Sequence, residues 1–388
     1  MQHFAILRIF SYLFAAIAAG GVAYLLISIF GIVRWLRVRN NPTADGEFAP
    51  AVSILKPLCG TDRNMYEGFR SHCLQNYPKF EIIFGVNNES DDAIAEVERL
   101  RQEFPTHDIK LVVCPNVLGT NRKVSNLQHM IEHARYDFVL INDSDIHVEP
   151  DYLSRVMAPF ANPQVGLVTA MYRANAGRTL ASQVESLTVA TDFVGGVLSA
   201  LVVEGGLHFA MGSTMAVRRE ALAKIGNFSA LLNKLADDYE LGVLITEAGY
   251  ELQLANTVVE TTLPDYGWRG MLAHQVRWAR TIRDKRKGGY LGVITTFGLP
   301  WAVLCAVCAT VAAWSLALLA LVFVLRMVHA AALCGPVLGD RESLRRLWLV
   351  PLRDFVGLGV WFTSWFGSTV SWRGEKFRLH NGTLTRLN

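Results

Sequence analysis

The pattern of apolar and polar positions divides the chain into three stretches. From Ile9 to Val33 no charged residue interrupts an apolar run of about 25 residues, enough to cross a hydrocarbon layer of about 30 Å with some tilt. Arg34, Arg37 and Arg39 follow this run and only Arg8 precedes it, which is the charge order of an anchor and not of a signal peptide. The same asymmetry places the N-terminus outside and the next segment at the cytoplasmic face. Asn40–Pro50, with Asn41, Pro42, Gly46 and Pro50, reads as a linker. Beyond it short apolar runs alternate with amphipathic ones. The pattern predicts strands at Val52–Leu55, Glu81–Val86, Leu111–Cys114 and Phe138–Ile141, and helices near Met65–Leu74, Ala93–Glu103 and Val124–Ala134. This βαβα order implies an α/β fold with a mostly parallel, doubly wound sheet.

The third stretch is apolar again. Leu291–Leu325 is broken only by turn-formers such as Gly298 and Pro300 and resumes at Val328–Leu338, a length that suits two tightly joined spans. Phe355–Trp372 either spans or lies in the headgroup zone with its Trp and Phe residues. Three C-terminal crossings would put the basic tail (Arg373, Lys376, Arg378, Arg386) outside, so two spans and an interfacial or re-entrant segment are expected. The expected domains are therefore an anchor over 1–43, a cytoplasmic domain over 44–288 and a membrane region over 289–388.

Composition agrees with this partition. Of 388 residues 51% are hydrophobic and 18% charged, too apolar for an ordinary soluble enzyme, so the chain is expected to be an integral membrane protein. The net charge of +3 comes from Lys and Arg clustered beside the apolar segments. Basic residues are not interleaved with aromatic ones, so no nucleic-acid partner is expected. The six cysteines are scattered, and Cys305-x-x-Cys308 lies inside an apolar run without a second ligand pair. They read as small buried thiols, not zinc ligands or disulfides. The sequons at Asn88, Asn227 and Asn381 are chance matches if these regions face the cytoplasm.

The candidate chemistry starts at Phe138–Pro150, FVLINDSDIHVEP. Asp143 and Asp145 leave the carboxyl end of a buried strand, the edge where open α/β sheets bind ligands. Two carboxylates so placed can share one hard divalent cation, and such a cation neutralises a diphosphate; alternatively they are a solvated turn. Asp91 and Asp92, after Glu81–Val86, either meet a nucleoside or open a helix. Arg122 and Lys123 start a helix within reach of a diphosphate. Asp237 and Asp238 begin another helix, and a carboxylate beside a bound sugar nucleotide can serve as a general base. In His274–Trp278, HQVRW, Arg277 can pair with phosphate oxygens and Trp278 offers an apolar wall, or the segment is a basic helix at the lipid surface.

In this order the stretches resemble the inverting glycosyltransferases of GT-A (Rossmann-like) fold, and more closely the ceramide glucosyltransferase family. SILKPL, QNYPKFEIIFGV, DDA, NRKVSNL, NDSD, VGLVTA, ADDYELG, the Arg-Trp pair and VSWRGEKFRL look like that family's motifs in sequence, over nearly the whole chain. The similar bacterial hopanoid-biosynthesis glycosyltransferases share the pattern. The resemblance implies Asp91 at the nucleotide, Asp143 and Asp145 at the diphosphate and a Mg²⁺ or Mn²⁺ cofactor, Asp238 as base, and Arg277 with Trp278 near the diphosphate and acceptor; Lys123 is added as a substrate-binding candidate from its place at the helix start. It implies a membrane enzyme moving sugar from a UDP-sugar to a lipid hydroxyl, ceramide or hopanoid, with inversion. The rivals are a hopanoid N-acetylglucosaminyltransferase, a polysaccharide synthase and a non-catalytic nucleotide-sugar-binding scaffold. One position departs from the pattern: His274 stands where the family usually has Gln or Arg.

Overall fold

The structure, a computed structural model, describes residues 2–39, 48–372 and 375–387. Most of the linker Asn40–Pro50, the expected boundary near residue 43, and Arg373 of the basic tail lie outside the described residues. The chain divides into two compact units. An apolar helical unit comprises Met1–Arg37, Ala176–Gly205 and Asp265–Gly374. An α/β unit comprises Val38–Asn175, Gly206–Pro264 and Glu375–Asn388. This differs from the continuous domain expected over 44–288, because Ala176–Gly205 and the segment after Asp265 group with the apolar helices.

The α/β unit is built on a seven-stranded sheet: β1 Val52–Pro57, β2 Phe80–Val86, β3 Ile109–Val113, β4 Phe138–Ile141, β5 Val165–Asn175, β6 Met215–Arg218 and β7 Glu251–Thr262. Their order is β3-β2-β1-β4-β6-β5-β7. The first four strands are mutually parallel, with Val52 facing both Phe80 and Phe138. Helices Met65–Cys73, Ala93–Glu103 and Arg122–Met130 make the crossovers. They do so because each carries an apolar stripe, such as Val97 and Leu100, that is buried in the unit. β6 then runs antiparallel to β4 and β5, while β5 and β7 are parallel. The main core, including Ile54, Phe69, Phe84, Leu140 and Val168, is closed to solvent.

Among the described residues three helices are long and apolar enough to cross a membrane: Ala5–Arg39, Leu180–Val203 and Ala313–Val337. A fourth span is added if the pair Lys287–Thr296 and Gly298–Cys308, bent by 58°, counts as one. The expected anchor Ile9–Val33 thus lies within a longer helix. The expected tight joint in the third stretch falls after Cys308, where Thr310 and Val311 take left-handed backbone. Phe355–Trp372 is divided between the helix Val350–Ser364 and the strand Thr369–Trp372. At 15 residues that helix reaches only about 22 Å, short of a span. Leu180–Val203 was not expected as a span, because Asp192, Gly195 and Gly196 interrupt its apolar pattern. Its packing explains one glycine of the first helix: a Cβ at Gly31 would lie 2.5 Å from the Leu198 carbonyl oxygen.

A charged network is buried in this unit. The Arg326 guanidinium pairs with Asp354 at 2.8 Å and Asp192 at 3.1 Å, and Arg353 pairs with the same two carboxylates. Two cations against two anions make the cluster neutral, the condition for keeping ionised groups in an apolar interior.

Candidate active site

β4 is four residues long and wholly buried, so the chain leaves the sheet at a fixed point. Asn142 is held there, its amide donating to the Ser213 carbonyl at 2.7 Å and the Tyr152 hydroxyl at 2.9 Å. Beneath the next residue lies Lys56, at the end of β1 and with no exposed surface, whose Nζ donates to the Asp143 carbonyl at 3.0 Å. Burial pushes the Lys56 ammonium down to about 7, against the attraction of Asp145 and Asp143. Ser144 donates to Asp62 at 2.5 Å. The Asp145 carboxylate accepts from the Thr261 hydroxyl and from the Thr262 N–H at 3.3 Å, both at the end of β7. Burial, and after it the charge of Asp143, hold the Asp145 carboxyl above the usual carboxylate range.

A second group of side chains meets Asp143. Asn121 caps the helix Arg122–Met130 by accepting from the Val124 N–H at 3.2 Å, and its amide donates to Asp237 at 3.2 Å. That cap directs Lys123 inward, with Nζ 2.6 Å from Asp143 and 3.5 Å from Asp237. Burial would lower the Lys123 pKa, but Asp143, Asp237 and Asp238 outweigh it and hold the ammonium well above its ordinary value. Asp238 accepts from the Gly212 N–H at 2.8 Å and from its own helix at the Tyr239 N–H, also 2.8 Å. Gly212 lies where the acids converge: a Cβ there would sit 3.2 Å from Asp238 Oδ2 and 3.7 Å from Asp143 Oδ2. Burial, then the charge of Asp237, push the Asp238 carboxyl up to about 6 in spite of Lys123. A carboxylate with that proton affinity, facing another carboxylate and an ammonium, can accept a proton near neutral pH.

The structure therefore brings Lys123, Asp143, Asp237 and Asp238 together, with Asp145 two residues along the same loop. Asp91 is engaged elsewhere. It accepts from the Gly60 N–H at 2.9 Å and the Ala93 N–H at 3.0 Å, tying the loop after β1 to the start of a helix. Arg122 pairs with Glu375 at 3.0 Å. Arg277 and Trp278 lie in the apolar unit, on the helix Trp268–Lys285. The Trp278 ring packs against His274, with centroids 4.8 Å apart. Lys56, Asn121 and Gly212 were missed in the sequence. A lysine closing an apolar strand and an Asn opening a helix were their only local signals.

A mixed sheet with this edge and this acid cluster defines the GT-A class of glycosyltransferase architecture. The model of glycosyl transferase family 21 matches residues 13–385, and the chain belongs to that family. Among its relatives, ceramide glucosyltransferase 3 of Caenorhabditis elegans is 28% identical over 208 residues, covering 53% of this chain and 45% of that protein. A ceramide glucosyltransferase of Komagataella phaffii is 37% identical over 108 residues, covering 27% of this chain and 21% of the relative. The chain thus spans less than half the length of these curated relatives. Among solved structures, a mannosyltransferase from Pyrobaculum calidifontis, in complex with GDP-Man and Mn²⁺, superimposes with a TM-score of 0.53 at 20% identity. The match covers 91% of this chain and 99% of that one and shows the shared fold.

Proposed function

We propose that this chain is a membrane glycosyltransferase that moves a hexose from a UDP-sugar to a lipid hydroxyl with inversion, most like ceramide glucosyltransferase. The observation that carries the reading is the convergence of Asp143, Lys123 and Asp238 beside Gly212. Asp238 takes the proton of the acceptor hydroxyl as that oxygen attacks the anomeric carbon; the bond from that carbon to the diphosphate breaks, and UDP leaves with the electron pair. Lys123, held charged by its acidic neighbours, meets the charge that develops on the leaving group. Asp91 steadies the nucleotide side of the edge through the loop at Gly60. Arg277 and Trp278 are assigned to the diphosphate and the acceptor.

Asp143 and Asp145 suit a hard cation, since Asp143 already raises the proton affinity of Asp145 and a shared Mg²⁺ or Mn²⁺ would relieve that repulsion. Among the described residues no set of three or more His, Cys, Asp or Glu is grouped to hold a metal unaided. The fit is therefore to an ion completed by diphosphate oxygens, whose chemistry is to neutralise the departing charge. Asp143→Ala and Asp145→Ala should each weaken UDP-sugar binding, and chelation should weaken it in the wild type. Donor binding indifferent to exhaustive chelation would overturn the metal assignment.

The acceptor is assigned as ceramide on the strength of the relatives' names, with a hopanoid as the second candidate on the motifs. The raised pKa of Asp238 favours turnover over a binding scaffold. The arginines after the first span support a catalytic unit on the cytoplasmic face.

A further inference from the structure

Glu185 drew no attention in the sequence, yet it is a fully buried carboxylate inside the apolar unit. It sits on the helix Leu180–Thr188 and fastens two successive residues of the helix Trp268–Lys285. Its Oε1 meets His274 Nδ1 at 2.5 Å and accepts from Gln275 Nε2 at 2.9 Å. Gripping neighbours at i and i+1 fixes the rotation of that helix about its own axis, because the two side chains leave it about 100° apart. His274, Arg277 and Trp278 stand at i, i+3 and i+4, so that rotation also aims the Arg277–Trp278 pair. The other carboxylate oxygen, Oε2, is shut from solvent and has no hydrogen-bond partner among the described residues. Leaving it so is costly, and a carboxylate kept in this state calls for a reason.

Arg277 supplies one. Arg277 is half-buried, and no ion pair to it is formed among the described residues. Burial lowers its pKa, and the charge of Glu185 opposes that shift. We propose that Glu185 is a positioning residue for Arg277: it orients the helix through His274 and Gln275, and its charge balances the guanidinium without engaging it, leaving Arg277 free for the donor's diphosphate. A direct salt bridge would occupy the fork that phosphate oxygens need. A charge that favours the cation without a hydrogen bond to it leaves its N–H groups unspent. This inference rests on the assignment of Arg277 to the diphosphate.

The test is a double-mutant cycle read by UDP and uridine affinity, with the full-length protein in nanodiscs. Glu185→Gln keeps the shape and an accepting oxygen and removes the charge. It should tighten UDP binding by about fivefold or more, a typical scale for coupled sites, and leave uridine unchanged. In an Arg277→Met background the same change should have no effect on UDP. Glu185→Asp keeps the charge but draws the carboxylate back from His274 and Gln275, so it should weaken UDP binding and leave uridine unchanged, and it carries the test where the glutamine variant does not fold. Unchanged or weaker UDP binding in Glu185→Gln, undiminished UDP binding in Glu185→Asp, or a Glu185→Gln effect that is equal with and without Arg277 overturns the inference alone. Unaltered UDP affinity in Arg277→Met removes the reading beneath it, and the inference with it.

Discussion

Two adjacent acids are given different environments by the fold. Asp237 is tied to Asn121 and faces Lys123, while Asp238 holds the Gly212 N–H and has its carboxyl raised to about 6. As the proposed base Asp238 works as the carboxylate, so its raised pKa predicts that activity is lost as pH falls through about 6 and is full above it. Asp238→Asn should lower kcat by at least about 10²-fold with UDP-sugar affinity nearly intact. Asp237→Asn should stay active and move the acid limb of kcat/KM to lower pH, because a neighbouring negative charge that favours the protonated form has been removed. A pH–rate profile of each variant checks both, and a limb that stays in place in Asp237→Asn would separate the two acids electrostatically. Asp143, Asp145 and Asp238 were legible because acids at strand and helix ends carry local signals. Lys56 and Glu185 were not, since each matters only through a partner 87 or 89 residues away.

At the scale of elements the first half of the sheet was read closely. β4 has the bounds its apolar run predicts, and the helix Ala93–Glu103 does too, because both combine a clear period with turn-formers at their ends. The crossover helix before β4 begins at Arg122, two residues before the expected start, where Asn121 supplies its cap. β5, β6 and β7 were not placed as strands; β6 has four residues, and β7 reads ELQLANTVVETT, with polar residues that dilute its apolar run. The helices of the apolar unit are held partly by the Arg326, Arg353, Asp192 and Asp354 network, which the sequence shows only as isolated charges in apolar surroundings. Removing one member leaves a buried charge without its counterpart. Asp354→Asn should therefore cost about 3–5 kcal/mol, seen as a lowered Tm in detergent, whereas the exposed Glu342→Gln should cost under about 1 kcal/mol. Equal losses from the two changes would show that the network contributes no more than a surface pair.

The chain divides into an α/β unit carrying the acids and an apolar unit, and among the described residues three helices are able to cross a membrane, or four with the bent pair. Their division was not legible as a boundary, because the chain enters each unit three times. The proposed orientation, with the α/β unit on the cytoplasmic face, rests on Arg34, Arg37 and Arg39 after the first span. In sealed inside-out vesicles a protease should cleave the α/β unit without detergent, and full protection in vesicles of verified sidedness would reverse the assignment. The central claim, transfer from a UDP-sugar to a lipid hydroxyl with inversion, is tested most directly by the product. Purified protein incubated with UDP-glucose and ceramide should form a glycolipid detected by mass spectrometry. Proton NMR should show a β linkage, opposite to the α linkage of the donor, and Asp238→Asn should form at least about 10²-fold less. An α-linked product, or release of UDP and free glucose with no glycolipid from ceramide or any other lipid alcohol, would contradict the account.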